Sequence, residues 1–249
     1  MEITKTLRDM LIIAWIKSYP DFRRNPLSIL VLVMIGVLPM FFMTVFSGTG
    51  SLIQGVIGGM VSSVAFLGVT SGVQDITRDR YVKIREMIVA MPVNPASYAL
   101  GIALGPLVLS VPSLILFSAI AAYWGVLTLA NTVWVILTLI VAWAALSAIG
   151  FMISTYLFKA SMMVLNNFST LLSISLMFLP PVYYSETRLG NFSWISILIP
   201  TSNAAGLIRA YMGLLPLSAD TIIVRWLILI ITFVVCVVFT SLKTKWREN

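Results

Sequence analysis

Nine acids, sixteen lysines and arginines, one cysteine and no histidine are the groups with which this chain of 249 residues could do chemistry. Without histidine, imidazole acid–base catalysis, Ser-His-Asp triads and the His-Glu-x-x-His zinc site are excluded. No Gly-x-x-x-x-Gly-Lys-Ser/Thr loop occurs, so nucleotide phosphates cannot be cradled by that route. Cys236 lies inside an apolar run, cannot close an intrachain disulfide and reads as a small packing residue. The densest group of charges runs from Gln74 to Val93, where Asp79, Arg80, Lys83, Arg85 and Glu86 interleave. Asp79 precedes Lys83 by four residues, the order that supports a helix, and Ile84, Met87, Ile88 and Met91 share one face before Pro92 and Pro95 stop it. Such a surface recognises rather than catalyses: its apolar edge supplies burial and its charges select register for a cytosolic partner. A solvated, salt-bridged connector is equally compatible with the same residues.

The elements around these residues are fixed by composition. Hydrophobic residues make up 59% of the chain and charged residues only 10%, against roughly 25% in an ordinary globular domain. Six apolar stretches are long enough to cross a lipid core of about 30 Å: Leu27 to Phe46, Leu52 to Val73, Ser97 to Ala122, Thr132 to Leu157, Met162 to Leu179 and Ile222 to Leu242. An all-α membrane protein with six transmembrane helices, forming one domain over residues 1–249, is therefore expected. Lys5, Arg8, Lys17, Arg23 and Arg24 precede the first span, and Arg78, Arg80, Lys83 and Arg85 separate the second from the third. Lys159 separates the fourth from the fifth, and Lys243, Lys245 and Arg247 follow the sixth. Arg188, Arg209 and Arg225 are left on the other side, so the positive-inside rule places both termini in the cytoplasm. The net charge of +7 is thus explained by orientation and anionic headgroups, and nucleic-acid binding is not expected. No cleavable signal peptide is expected, because a charged segment of about 25 residues precedes the first apolar run.

Residues 1–24 have apolar side chains at helical spacing (Ile3, Leu7, Met10, Leu11, Ala14, Trp15) and read as an amphipathic helix in the inner interface, ended by Tyr19-Pro20. Between spans five and six, residues 180–221 are mostly apolar but hold only short segments, near Phe192 to Leu198 and Ala204 to Leu217, broken by Pro200-Thr201-Ser202-Asn203. Neither crosses, so a re-entrant helical hairpin is expected, with a lid lying flat on the membrane as the alternative. Arg209 is expected to pair with Glu186 or Asp220, and Arg225, one turn into the last span, to snorkel to the surface. Gly55 with Gly59, and Gly101 with Gly105, have the spacing of close helix approach, within one subunit or across a dimer. Pro106 and Pro112 should bend the third span and free backbone carbonyls.

The stretch Arg80 to Val93, with Glu86 and Ala90-Met91-Pro92-Val93, followed by Asn94-Pro95 and a Gly-rich span, resembles the signature after the second span of type-2 ATP-binding-cassette exporter permeases. The glycine usual in that run is replaced at about Lys83. Arg24-Asn25-Pro26 ahead of Leu38-Pro39 and Val45-Phe46, and Ile199-Pro200 through Leu207-Ile208-Arg209, agree with the same family, so the resemblance covers nearly the full length. It implies a six-helix subunit that pairs with a second permease subunit, as a homo- or heterodimer, and docks a separate ATP-binding cassette subunit through the leader and the 74–96 coupling loop. It also makes Asp79, Lys83, Arg85, Glu86, Met87 and Pro92 the coupling contacts, and Glu186, Pro200 and Arg209 parts of an extracellular gate. No cofactor is then bound by this chain, since ATP and Mg belong to the partner subunit.

None of the nine acids lies at the middle of a span, where a proton-coupled carrier usually needs one. A stand-alone channel or sodium-coupled secondary transporter, coordinating through carbonyls and hydroxyls, is the competing function, and an intramembrane enzyme has no nucleophile–base pair to support it. Spans rich in Met, Phe, Leu, Ser and Thr suit an amphipathic or lipophilic cargo. The leader resembles the drug-exporter branch more than the polysaccharide one. A multi-pass location in the cell membrane follows.

Overall fold

The computed structural model describes residues 2–48, 51–82 and 95–243, and everything regular among them is helical. The helices are α1 (Glu2–Arg24), α2 (Pro26–Ser47), α3 (Leu52–Tyr81), α4 (Pro95–Tyr123), α5 (Leu129–Tyr156), α6 (Met162–Phe178), a 3-10 turn (Glu186–Phe192), α7 (Ser193–Leu198), α8 (Pro200–Tyr211) and α9 (Ala219–Lys243). Five of them, α2, α3, α4, α5 and α9, are long and apolar enough to cross a membrane, and α6 is an apolar helix of 17 residues, the lower limit for a span. The chain is thus an all-α membrane protein of about six spans, each matching an expected stretch to within a few residues at its start.

Helix α3 is the central post, packed against α2, α4, α5, α6 and α8 and buried almost without interruption from Gly55 to Val73. Lipid tails are as apolar as side chains, so contact between such helices is held by close packing rather than by escape from water. Small residues on α3 provide that contact. A Cβ on Gly150 of α5 would stand 2.8 Å from the carbonyl oxygen of Val69 and 3.2 Å from the Cα of Gly72, so the two backbones touch there. Gly55 receives Met40 of α2, Gly59 receives the ring of Phe117 of α4, and Gly101 and Gly105 of α4 receive Ile13 and Lys17 of α1. Both glycine pairs singled out in the sequence therefore serve packing inside this chain.

Four boundaries differ from expectation. Helix α1 does not stop at Tyr19-Pro20 but runs through Pro20 to Arg24, because its inner face stays seated on α4, with Ala14 and Ser18 buried; the break falls at Asn25 (φ −132°, ψ 64°), before Pro26. Helix α3 continues eight residues past Val73, so the start of the charged run is an extension of a span. The 180–221 segment does break beside Pro200, at Ile199 between α7 and α8, but Pro200 through Asn203 are themselves helical, Pro200 opening α8 at its first turn, where a proline's missing N–H costs nothing. That helix ends at Tyr211, not near Leu217. Gly213 (φ 72°) ends it, the amide of Leu214 donating to the carbonyl of Arg209 (2.9 Å) and that of Gly213 to Ala210 (3.0 Å). Pro106 and Pro112 both lie inside the continuous helix α4.

Candidate functional site

Two polar clusters interrupt the apolar packing, one at each end of α3. At the C-terminal end, Asp79 is fully buried, its Oδ1 accepting from Lys17 Nζ at 2.6 Å and its Oδ2 from the Tyr98 hydroxyl at 2.8 Å. A carboxylate out of water is tolerable only with its charge matched and its lone pairs used, and α1 and α4 supply one donor each. One side chain thereby ties the leader, the long span and the helix after the charged loop together. Arg80, the next residue, donates to the carbonyl oxygen of Phe158 (2.6 Å) and reaches that of Ser154, where α5 ends and carbonyls lack helical partners. The Tyr81 hydroxyl accepts from the amide of Met162 at the start of α6 (3.3 Å). Three successive residues thus fix α1, α4, α5 and α6 around the end of α3.

Of the residues the sequence nominates for coupling, Asp79 lies in this cluster. Lys83, Arg85, Glu86, Met87 and Pro92 lie outside the described residues. Sequence alone missed Lys17 and Tyr98 as partners of Asp79. Lys17 follows Ile13 and Ala14 by one helical turn on the face that packs against α4, the available sign that its ammonium points inward.

At the opposite end, α8 is buried along Pro200–Arg209. Arg209, 2% exposed, donates Nε to Gln54 Oε1, Nη1 to the carbonyl of Pro181 (2.9 Å) and Nη2 to that of Val182 (2.6 Å). The pairing with Glu186 or Asp220 expected from the sequence does not form. Pro181-Val182, in the connector leaving α6, offers two carbonyls at the spacing of a guanidinium fork, and Gln54 of α3 completes the set. Glu186 is instead held by Arg225, Nη2 to Oε2 at 2.7 Å, with Arg225 Nη1 reaching the carbonyl of Ser202 at 3.5 Å. Arg225 is 2% exposed and does not snorkel: it turns inward because Gly206 leaves room, the space of a Cβ there being filled by the guanidinium. Pro200 sets the start of this arrangement, and Thr201 and Asn203 anchor it through the carbonyls of Leu176, Ile197 and Ile199. Tyr183 occupies the space left by Gly58 and stacks on Phe178 at 5.8 Å.

Glu186, Pro200 and Arg209 are therefore brought into one largely buried region, together with two residues the sequence did not group with them, Gln54 and the inward-turned Arg225. Together these side chains act as a clasp: α3, α8, α9 and the connector after α6 are joined by directional bonds across an otherwise greasy contact. Among the described residues no cluster of metal-ligating side chains occurs. The arrangement holds these elements together, and among the described residues it offers no nucleophile beside a base.

Residues 10–212 match a family model described as ABC-2 type transporter. No curated protein and no solved structure matches the chain.

Proposed function

The chain belongs to the ABC-2 type transporter family as a permease subunit, and from that premise we propose that it forms the export path for an amphipathic or lipophilic substrate, driven by a separate ATP-binding subunit. The observation that carries the coupling is the buried Asp79 between Lys17 and Tyr98. Whatever docks on the leader or on the 74–96 loop pulls, through that one carboxylate, on α3, the helix against which most of the bundle is packed. Asp79 is then a positioning residue, while Lys83, Arg85, Glu86, Met87 and Pro92 form the docking surface. A partner's closure on ATP, with its Mg, reaches the spans as a rigid displacement.

The clasp at the other end is the gate. Glu186–Arg225 and Arg209 with Gln54 hold α8 and the connector shut, as a re-entrant hairpin dipping into the outer leaflet, and part when α3 moves. Two such subunits, identical or related, face one another with the path between them, in the cell membrane with both termini cytoplasmic. The spans' lack of a midplane charge suits cargo with little charge of its own.

The test is ATPase activity of the complex co-purified with its ATP-binding subunit. Glu86→Ala with Arg85→Ala should lower cargo-stimulated hydrolysis roughly tenfold or more, as for loss of one or two interface hot spots. Unchanged stimulation would remove the docking assignment.

A further inference from the structure

Helix α1 has two unlike faces. One is seated on α4. The other shows Leu7, Leu11, Trp15 and Tyr19 at four-residue spacing, exposed by 49, 60, 62 and 37%. This row ends in guanidinium: Trp15 stacks on Tyr19 with centroids 4.9 Å apart, and Arg23 Nη1 donates to the Tyr19 hydroxyl at 3.2 Å. Tyr19, Pro20, Arg23 and Arg24 line a hollow of about 390 Å³. No carboxylate among the described side chains pairs with either arginine. One residue further on α2 begins, and its first turns leave Leu27 and Leu30 exposed by 73 and 55%.

The geometry points to a binding site for the headgroup of an anionic phospholipid at the elbow between α1 and α2. Two adjacent guanidiniums present planar donor forks that match phosphate oxygens, and an aromatic pair marks the depth at which headgroup meets acyl chain. The exposed flank of α2 continues the site as a track for the chain itself. That continuity selects a lipid over a free anion, because a soluble phosphate gains nothing from Leu27 or Leu30. A basic cluster beside a span draws anionic lipid by about 1 kcal/mol per charge near the surface, and here the charges converge on one hollow. The site rests on the proposed interfacial position of α1, and not on the coupling of the permease to ATP.

The experiment is native mass spectrometry of the full-length protein released from micelles containing equal amounts of phosphatidylglycerol and phosphatidylcholine of the same chain length. Phosphatidylglycerol should be retained in preference, and retention should fall by about thirtyfold in R23Q/R24Q, two charges being removed. R23K/R24K should keep most of it, and millimolar inorganic phosphate should not displace it. Equal retention of the two lipids, or undiminished retention in R23Q/R24Q, would overturn the site. Displacement by inorganic phosphate would overturn the lipid and leave a free-anion site. Labelling of R8C in a C236S background, in sealed right-side-out vesicles, reports separately on which leaflet α1 faces: protection supports the inner leaflet, and reaction from outside overturns it whatever the lipid result.

Discussion

Arg225 shows what a single charged side chain costs and gives in this fold. It is buried with Glu186, whose side chain is 18% exposed, so the pair is partly but not wholly removed from water. Replacing one partner strands the other, at a cost of about 3 to 5 kcal/mol for a fully buried pair, and the lower end applies here because solvent still reaches Glu186. Arg225→Ala should therefore lower the thermal midpoint of the purified protein clearly, whereas the double change E186Q/R225M, which leaves no orphan charge, should recover most of the loss. If the double variant is no more stable than Arg225→Ala, the pair is not what holds the connector. Gly206→Ala puts a methyl where the Arg225 guanidinium lies and should cost about 1 to 3 kcal/mol by overcrowding. A melting curve indistinguishable from the parent's would show that Arg225 can turn outward after all.

Among the elements, the leader helix is the one seated almost wholly on a single neighbour, α4. Lys17–Asp79 pins its charge and Gly101 admits its Ile13 side chain, a Cβ at Gly101 standing 2.7 Å from that of Ile13. Gly101→Val should lift α1 from α4 and make the bonds after its lysines and arginines cleavable by trypsin in the intact protein, with the spans still protected. The pair K17M/D79L, which removes both charges together, should leave the leader protected, whereas Asp79→Ala alone should not. Cleavage rates equal to the parent's in Gly101→Val would mean that α1 is held elsewhere.

The span helices were legible because a membrane helix must be about twenty apolar residues long whatever it packs against, and each of the six announced itself by length alone. Positions decided by a neighbour were not. Pro20 ends a helix by local steric preference, yet α1 continues because α4 holds its far side. Pro200 looks like a breaker in sequence, but opens a helix once Ile199 takes the extended conformation (φ −98°, ψ 123°). Glu186, Pro200 and Arg209 were legible as members of one region; their partners were not, since the carbonyls of Pro181 and Val182 carry no residue-type signal. An intramembrane charge such as Arg225 announces a partner but not whether the partner is lipid headgroup or protein. Gly206, four residues before Ala210 on α8, decided that question.

For the whole molecule, the two polar clusters sit at the two ends of α3, with a tightly packed, glycine-lined helix between them. On the coupling proposed above, α3 carries a displacement from Asp79 to Gln54, and with it to Arg209, along one continuous helix. Gln54→Leu should leave Arg209 with its two carbonyl partners, preserve expression, and raise the leak of cargo through vesicles containing both subunits; a permeability equal to the parent's would remove Gln54 from the gate. The measurement that bears most directly on the whole account is cargo movement in reconstituted vesicles, with and without the ATP-binding subunit. With the subunit and ATP present, cargo should move, and movement should stop when Glu86 and Arg85 are replaced. Movement of cargo by this chain alone, or undiminished movement in that variant, would contradict it.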